Sequence, residues 1–278
     1  MSENTAAPPP RTMSLTVPGG RIAYDVQGQG PLVLMLPGMG DLRSSFRFLV
    51  PQVVAAGYRV VTADLRGHGE STAGFDSYGD EATAADLGAL LEHLGEPAVV
   101  VGNSMAAGSA VIVAADRPES VRALVLIGPF VRNPGHVSLV QRGLLRVLMG
   151  GPWAPAMWNA YLPTLYRGRK PEDFEEYRKL VRSALRRPGY AEAFRRTTRT
   201  DHQPAEEALG SVRAPTLVVM GDRDPDFPDP AAEAAWVADA VGGQVRMIDD
   251  AGHYPHAQQP RATADAVIDF LHRVDARD

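Results

Sequence analysis

Five short apolar runs with little polar alternation constrain the fold of this chain more than any other feature. They occupy residues 32–36, 59–63, 98–101, 121–127 and 216–220. Runs of this length and composition read as strands buried on both faces. Helical segments separate most of them, expected at 44–56, 79–94, 104–115, 231–241 and 261–274, with a last strand at 244–248. Strands and helices alternating at this spacing form βαβ units around a parallel sheet, which makes the chain an α/β protein. Ahead of them, residues 13–17 and 21–26 alternate apolar and polar side chains around Pro18-Gly19-Gly20, the pattern of a hairpin with one wet face.

The alternation stops over residues 131–213. That stretch holds Trp153, Trp158, Tyr161, Tyr166, Phe174, Tyr177, Tyr190 and Phe194, and the arginine pairs Arg186-Arg187 and Arg195-Arg196. Prolines 152, 155, 163, 171 and 188 are expected to cut it into short helices. Because the strand pattern resumes directly afterwards, 131–213 reads as a helical cap inserted into one core domain of residues 12–130 and 214–278. Residues 1–11 read as a disordered, proline-rich tail.

A chain of 278 residues suits one large α/β domain with an insertion, and a net charge of −5 carries no polybasic footprint. Nucleic acid and anionic membrane surfaces are therefore not expected partners; a small-molecule substrate is. With no cysteine, the chain has no disulfide, thiol nucleophile or cysteine metal site. No apolar run approaches the ~18 residues of a membrane span, and no secretory signal is legible, so a soluble cytoplasmic protein is expected. Oligomeric state is not legible.

Chemistry concentrates around Val99-Val100-Val101-Gly102-Asn103-Ser104-Met105-Ala106-Ala107-Gly108. A β-branched run passes through a turn of small residues into a helix, which lifts Ser104 above the sheet edge at a helix N-terminus. A serine hydroxyl at neutral pH needs a base within hydrogen-bond reach and a group that orients that base. Of seven histidines, His93 and His272 lie in expected helices, His136 and His202 in or at the edge of the cap, and His68 in a glycine turn. His253 follows the last strand directly, inside Ala251-Gly252-His253-Tyr254, on the edge of an α/β sheet where catalytic groups gather; His256 is the runner-up. The acid is expected after the strand ending at Met220, with Asp224 preferred and Asp222 and Asp226 as alternatives. A pH–rate profile with a basic limb near neutrality would fit His253 as the base. The oxyanion needs two aimed donors, expected from the backbone N–H groups of Met105 and of Met39 in Pro37-Gly38-Met39-Gly40. This chemistry requires neither cofactor nor metal.

Five motifs occur in order: Leu36-Pro37-Gly38, Asp64-Leu65-Arg66-Gly67-His68-Gly69-Glu70-Ser71, Gly102-Asn103-Ser104-Met105, Gly221-Asp222-Arg223-Asp224 and Gly252-His253. Together the chain resembles the α/β-hydrolase superfamily from about Thr12 to Val274. The resemblance implies a mostly parallel eight-stranded sheet flanked by helices, with an inserted cap. It also implies the triad Ser104, Asp224, His253, and a structural loop beside the active site at His68. The elbow Gly102-Asn103-Ser104-Met105 is similar to those of carbon–carbon hydrolases acting on aromatic ring-fission products, and of esterases, lactonases and cofactor-free haloperoxidases. Three positions depart from the family pattern: Pro37 replaces a histidine that supports the oxyanion loop, Ala106 the last elbow glycine, and Tyr254 the tryptophan of ring-fission hydrolases. The expected function is a serine hydrolase of a small, fairly apolar ester, lactone or related carbonyl compound. The alternatives are a carbon–carbon hydrolase, whose substrate carboxylate the cap arginines could hold, and a non-catalytic ligand receptor or signalling protein on the same fold.

Overall fold

The apolar runs pair as their burial demands. The computed structural model describes residues 12–133, 135 and 149–277; the expected tail and His136 lie outside the described residues. β1 (Thr12–Val17) and β2 (Gly20–Gln27) form the antiparallel hairpin, and β2 runs antiparallel to β4 (Arg59–Ala63). β3 (Leu32–Leu36), β5 (Ala98–Asn103), β6 (Val121–Ile127), β7 (Thr216–Gly221) and β8 (Gln244–Ile248) add parallel pairings. The eight-stranded sheet has the order β1-β2-β4-β3-β5-β6-β7-β8.

Successive side chains of one strand leave on opposite faces, so the continuous runs feed two cores at once. Leu34, Leu36, Val100, Leu124 and Leu126 pack on one face with α2 (Asp80–Leu94) and α3 (Met105–Asp116). Val33, Met35, Val99, Val101, Val125 and Ile127 pack on the other, beneath α1 (Val50–Ala55). Each such side chain contributes roughly 1.5–3 kcal/mol on burial, which is why polar alternation is missing here.

Among the described residues, α4 (Ala154–Leu165), α5 (Phe174–Leu185), α6 (Tyr190–Thr197) and α7 (Gln203–Ala208) stand between β6 and β7. Trp158, Leu162, Tyr166, Phe174, Tyr177 and Phe194 form a largely aromatic core at α4, α5 and α6, whereas Ala205 of α7 packs into the sheet core. Further on come α8 (Pro230–Val241), α9 (Pro255–Gln258) and α10 (Pro260–Asp275). No helix among the described residues is long and apolar enough to cross a membrane.

Two expectations need correction. Residues 44–56 are not one helix: a 3-10 turn over Arg43–Phe46 precedes α1, whose start is set by Pro51, a residue with a fixed φ and no N–H to donate to a preceding turn. Pro163 does not break α4. The carbonyl that a proline at 163 leaves unbonded, that of Asn159, accepts from Arg178 Nε at 3.0 Å instead, so α5 supplies the missing donor.

The strand order explains where a site can form. From β3 the chain moves to β4 on one side and then to β5 on the other, so the loops leaving β3 and β5 diverge. The crevice between them, at the carboxyl ends of the strands, is the topological switch point.

Candidate active site

Ser104 occupies that crevice. It is one of two non-glycine residues with positive φ among the described residues, at φ 58° and ψ −124°. Such a conformation costs about 1–3 kcal/mol and persists only where its surroundings hold it. They do: Ser104 N–H donates to Ile127 O at 2.9 Å, and Ser104 O accepts from Ala107 N–H and Phe130 N–H at 3.0 and 3.2 Å. The turn is also closed by absence of bulk, since a Cβ on Gly102 would lie 2.5 Å from Ala106 O. Ala106 itself is accommodated in the core at 1% exposure, so the elbow survives its extra methyl. Beside the serine, Asn103 Nδ2 donates to Ile127 O at 3.0 Å and to His253 O at 3.4 Å, tying the elbow to the histidine loop.

His253 Nδ1 lies 2.7 Å from Asp224 Oδ2, with both side chains buried. That contact commits Nδ1–H to the carboxylate and leaves Nε2 to face the crevice. Phe130 connects the two halves: its N–H holds Ser104 O, and its ring meets His253 edge-on with centroids 5.8 Å apart. Ser104 Oγ makes no hydrogen bond among the described residues.

The other expected residues fall into place around this pair. Asp222 Oδ1 accepts from Ala251 N–H at 3.2 Å and so shapes the histidine loop from behind. Asp226 stands 3.7 Å from His253 Nδ1, as a second carboxylate, and accepts from Tyr161 Oη at 2.7 Å. His256 is fully buried, stacked on Phe46 with centroids 4.8 Å apart, and burial depresses its pKa to about 3, so it is not poised as the base. His202 pairs with Asp80 at 2.8 Å, and Tyr24 Oη lies 3.0 Å from His93 Nε2; both histidines join packed elements.

Electrostatics set His253 apart. Burial alone would push its pKa down, but Asp224, Asp226 and Asp41 raise it to about 9. The upward shift follows because the negative charge around the imidazole is greater than one aspartate supplies. Ligand atoms of Asp224, Asp226 and His253 lie within 4.8 Å of one another, a spacing that suits a metal ion. A cation there would compete for the nitrogen whose proton Asp224 accepts.

The loop after β3 passes directly over the serine. A Cβ on Gly38 would lie 2.7 Å from Ser104 Cβ, so only glycine allows this approach. Met39 and Met105 follow on the two sides, and neither backbone N–H is engaged elsewhere among the described residues. With Pro37 in place of the usual histidine, support comes from a residue 28 positions away: Gly40 N–H donates to His68 Nε2 at 2.9 Å. His68 Nδ1 lies 3.0 Å from Arg66 O, which fixes the tautomer, and burial lowers its pKa to about 4, which keeps the ring neutral and able to accept. Trp158 Nε1 donates to Gly40 O at 2.9 Å from the other side. Next along, Asp41 is buried and accepts from Tyr177 Oη, and burial raises its pKa to about 6.

The positions of Trp158 and Tyr161 in the site escaped sequence reading, whereas Asn103 carried a signal through the elbow motif and His68 through its glycine-flanked motif. A pocket of about 390 Å³ adjoins the site, bounded by Phe130, Phe227 and Asp226 and by Arg132, which is paired with Glu233. The expected cap arginines are mostly committed elsewhere: Arg195 to Glu192 and Gly150 O, Arg196 to Phe75 O and Asp76 O, and Arg187 to Ala184 O.

A family model described as the alpha/beta hydrolase family matches residues 33–266. A Mycobacterium tuberculosis protein provisionally named non-heme bromoperoxidase BpoC is 30% identical, over 92% of this chain and 99% of its own. A 2-hydroxy-6-oxononadienedioate/2-hydroxy-6-oxononatrienedioate hydrolase of Paraburkholderia xenovorans is 28% identical, over 90% of each chain. Among solved structures, a thermophilic esterase from Thermogutta terrifontis superposes with a TM-score of 0.78 at 25% identity, covering 95% of this chain and 99% of that one.

Proposed function

The chain belongs to the alpha/beta hydrolase family, and we propose that within it the chain is a serine hydrolase that cleaves a small, fairly apolar ester, lactone or related carbonyl compound. The observation that carries this reading is the strained Ser104 turn joined through Phe130 to a buried His253–Asp224 pair. Backbone strain held by so many hydrogen bonds supports a functional role for the hydroxyl it carries. The similarity to a solved esterase supports the same class.

In this reading Ser104 Oγ attacks the substrate carbonyl carbon while His253 Nε2 takes the hydroxyl proton. Asp224 holds the imidazole through Nδ1 and balances the imidazolium charge. The developing oxyanion takes hydrogen bonds from Met39 and Met105 N–H, which stand preorganised and so need no reorganisation during reaction. His253 then gives its proton to the leaving-group oxygen, and the ester bond breaks. Water attacks the acyl-Ser104 ester with His253 as base, releasing the acid and restoring the serine. Residues 131–213 act as the cap, and the pocket beside Phe130 and Phe227 receives part of the substrate.

A second reading, carbon–carbon cleavage of a vinylogous diketone acid, is favoured by the similarity to the dienedioate hydrolase. It needs a cation for the substrate carboxylate, and Arg132 at the pocket is already paired with Glu233. A panel of p-nitrophenyl esters of graded chain length, lactones and one dienoate ketone separates the readings. The proposal expects ester or lactone turnover well above dienoate turnover, with an acyl-enzyme at Ser104 trapped by intact mass. Dominant dienoate cleavage would reverse the order, and if Ser104→Ala left turnover unchanged the serine mechanism would be wrong.

A further inference from the structure

Helix α4 touches three separate loops of the site from one face. Positions 158, 161 and 165 recur at i, i+3 and i+7, the spacing of neighbours along a single helical stripe. Trp158 Nε1 donates to Gly40 O at 2.9 Å, behind the oxyanion donor Met39. Tyr161 Oη donates to Asp226 Oδ1 at 2.7 Å, and Asp226 in turn stands 3.7 Å from His253 Nδ1. At the helix end Leu165 O, one of the last carbonyls that a helix leaves unbonded, accepts His253 N–H at 2.8 Å. These loops leave β3, β7 and β8, so no single sheet strand could register them together.

We propose that α4 registers the active site, with Trp158 and Tyr161 as positioning residues: Trp158 sets the oxyanion loop, and Tyr161 holds Asp226 as a second counter-charge to His253. The proposal rests on the serine-hydrolase reading for its catalytic consequence, but not for its physical one. The charged and titratable groups facing His253 are Asp224 and Asp226 from the loop after β7, Asp41 from the loop after β3, and Tyr254 and His256 from its own loop. Phe130, from the loop after β6, is uncharged. Tyr161 is 37% exposed, and Asp226 borders the pocket, so a carboxylate released from the tyrosine hydroxyl can turn away from the imidazole.

The test compares Tyr161→Phe, Asp226→Asn, their double variant and Trp158→Phe. His253 is titrated by NMR in the substrate-free protein, and kcat and KM are followed against pH on a p-nitrophenyl ester. Tyr161→Phe and Asp226→Asn should each lower the His253 pKa by about one unit, and the double variant no further than Asp226→Asn alone. Trp158→Phe should leave that titration in place, lower kcat by about 10- to 100-fold with KM little changed, and speed hydrogen exchange at the Gly40 amide. An unmoved His253 titration in Tyr161→Phe, or additive shifts in the double variant, overturns the Tyr161 half. Unchanged kcat and unchanged Gly40 exchange in Trp158→Phe overturn the other half. Because titration and exchange need no substrate, a wild type that turns over no ester rejects the hydrolase reading while leaving these results decisive. Tyr161→Phe removes only one half-exposed hydroxyl, so the test stands even if Trp158→Phe does not fold.

Discussion

Two fully buried histidines flank the same crevice and are driven in opposite directions. His68, in the loop after β4, hydrogen-bonds only backbone partners among the described residues, the Arg66 carbonyl and the Gly40 N–H, and burial lowers its pKa to about 4. His253, in the loop after β8, is just as buried, yet three aspartates overcome that burial and raise it to about 9. Burial therefore does not decide what a histidine does; the charge of its nearest partner does. The first is an acceptor that stays neutral near pH 7 and can hold a loop, the second a group with a raised affinity for a proton.

The largest way to break this contrast is to exchange the side chains for glutamine. His253→Gln should lower kcat/KM by roughly 10⁴-fold or more, since the base is lost, whereas His68→Gln keeps an acceptor for Gly40 and should cost about tenfold. Steady-state kinetics on the best ester measures both, and comparable losses would mean His68 shares in the chemistry. Asp224→Asn attacks the other side of the contrast. It should cost about 10⁴-fold in kcat and pull the His253 titration down toward its ordinary value, read by NMR.

Removing the acceptor outright is a smaller blow. His68→Leu leaves the Gly40 N–H buried with no acceptor, which should destabilise the fold by about 1–3 kcal/mol in urea denaturation. It should also lower kcat by around 100-fold while changing KM little, because the oxyanion donor drifts.

The smallest effect lies in stability against pH, where the two histidines act in opposite windows. His253 has a folded pKa of about 9, above its ordinary 6.5, so its contribution is complete below 6.5 and is lost as pH rises through about 9. His68 has a folded pKa of about 4, so its contribution is complete above 6.5 and is lost as pH falls through about 4. Thermal melts of His253→Gln should flatten the alkaline side, and those of His68→Gln the acid side, each by on the order of 5 °C.

The contrast also shows what a sequence carries. The sheet was legible because buried strands force continuous apolar runs, and 216–220 could be placed with no knowledge of its neighbours. Ser104 and Asp224 could be singled out because each follows such a run, and His253 because it follows the last strand, whose sequence is less apolar. The support of Gly40 by His68 and Trp158 was not, since it joins residues 28 and 118 positions apart through loops that no periodicity describes. Pro163 misled for a related reason: its local rule holds, and a partner from another helix, Arg178, lifts the penalty. The upward shift of the His253 pKa was out of reach because Asp41 and Asp226 act on it only once the loops converge.

The most direct measurement is the rate at which a fluorophosphonate labels Ser104 between pH 5 and 10, with the modified residue identified by mass spectrometry. Labelling should reach one equivalent, fall wholly on Ser104, and accelerate with pH through about 9 as His253 loses its proton. Folded protein that takes up no label, or labelling whose rate does not change over that range, would contradict a serine activated by His253.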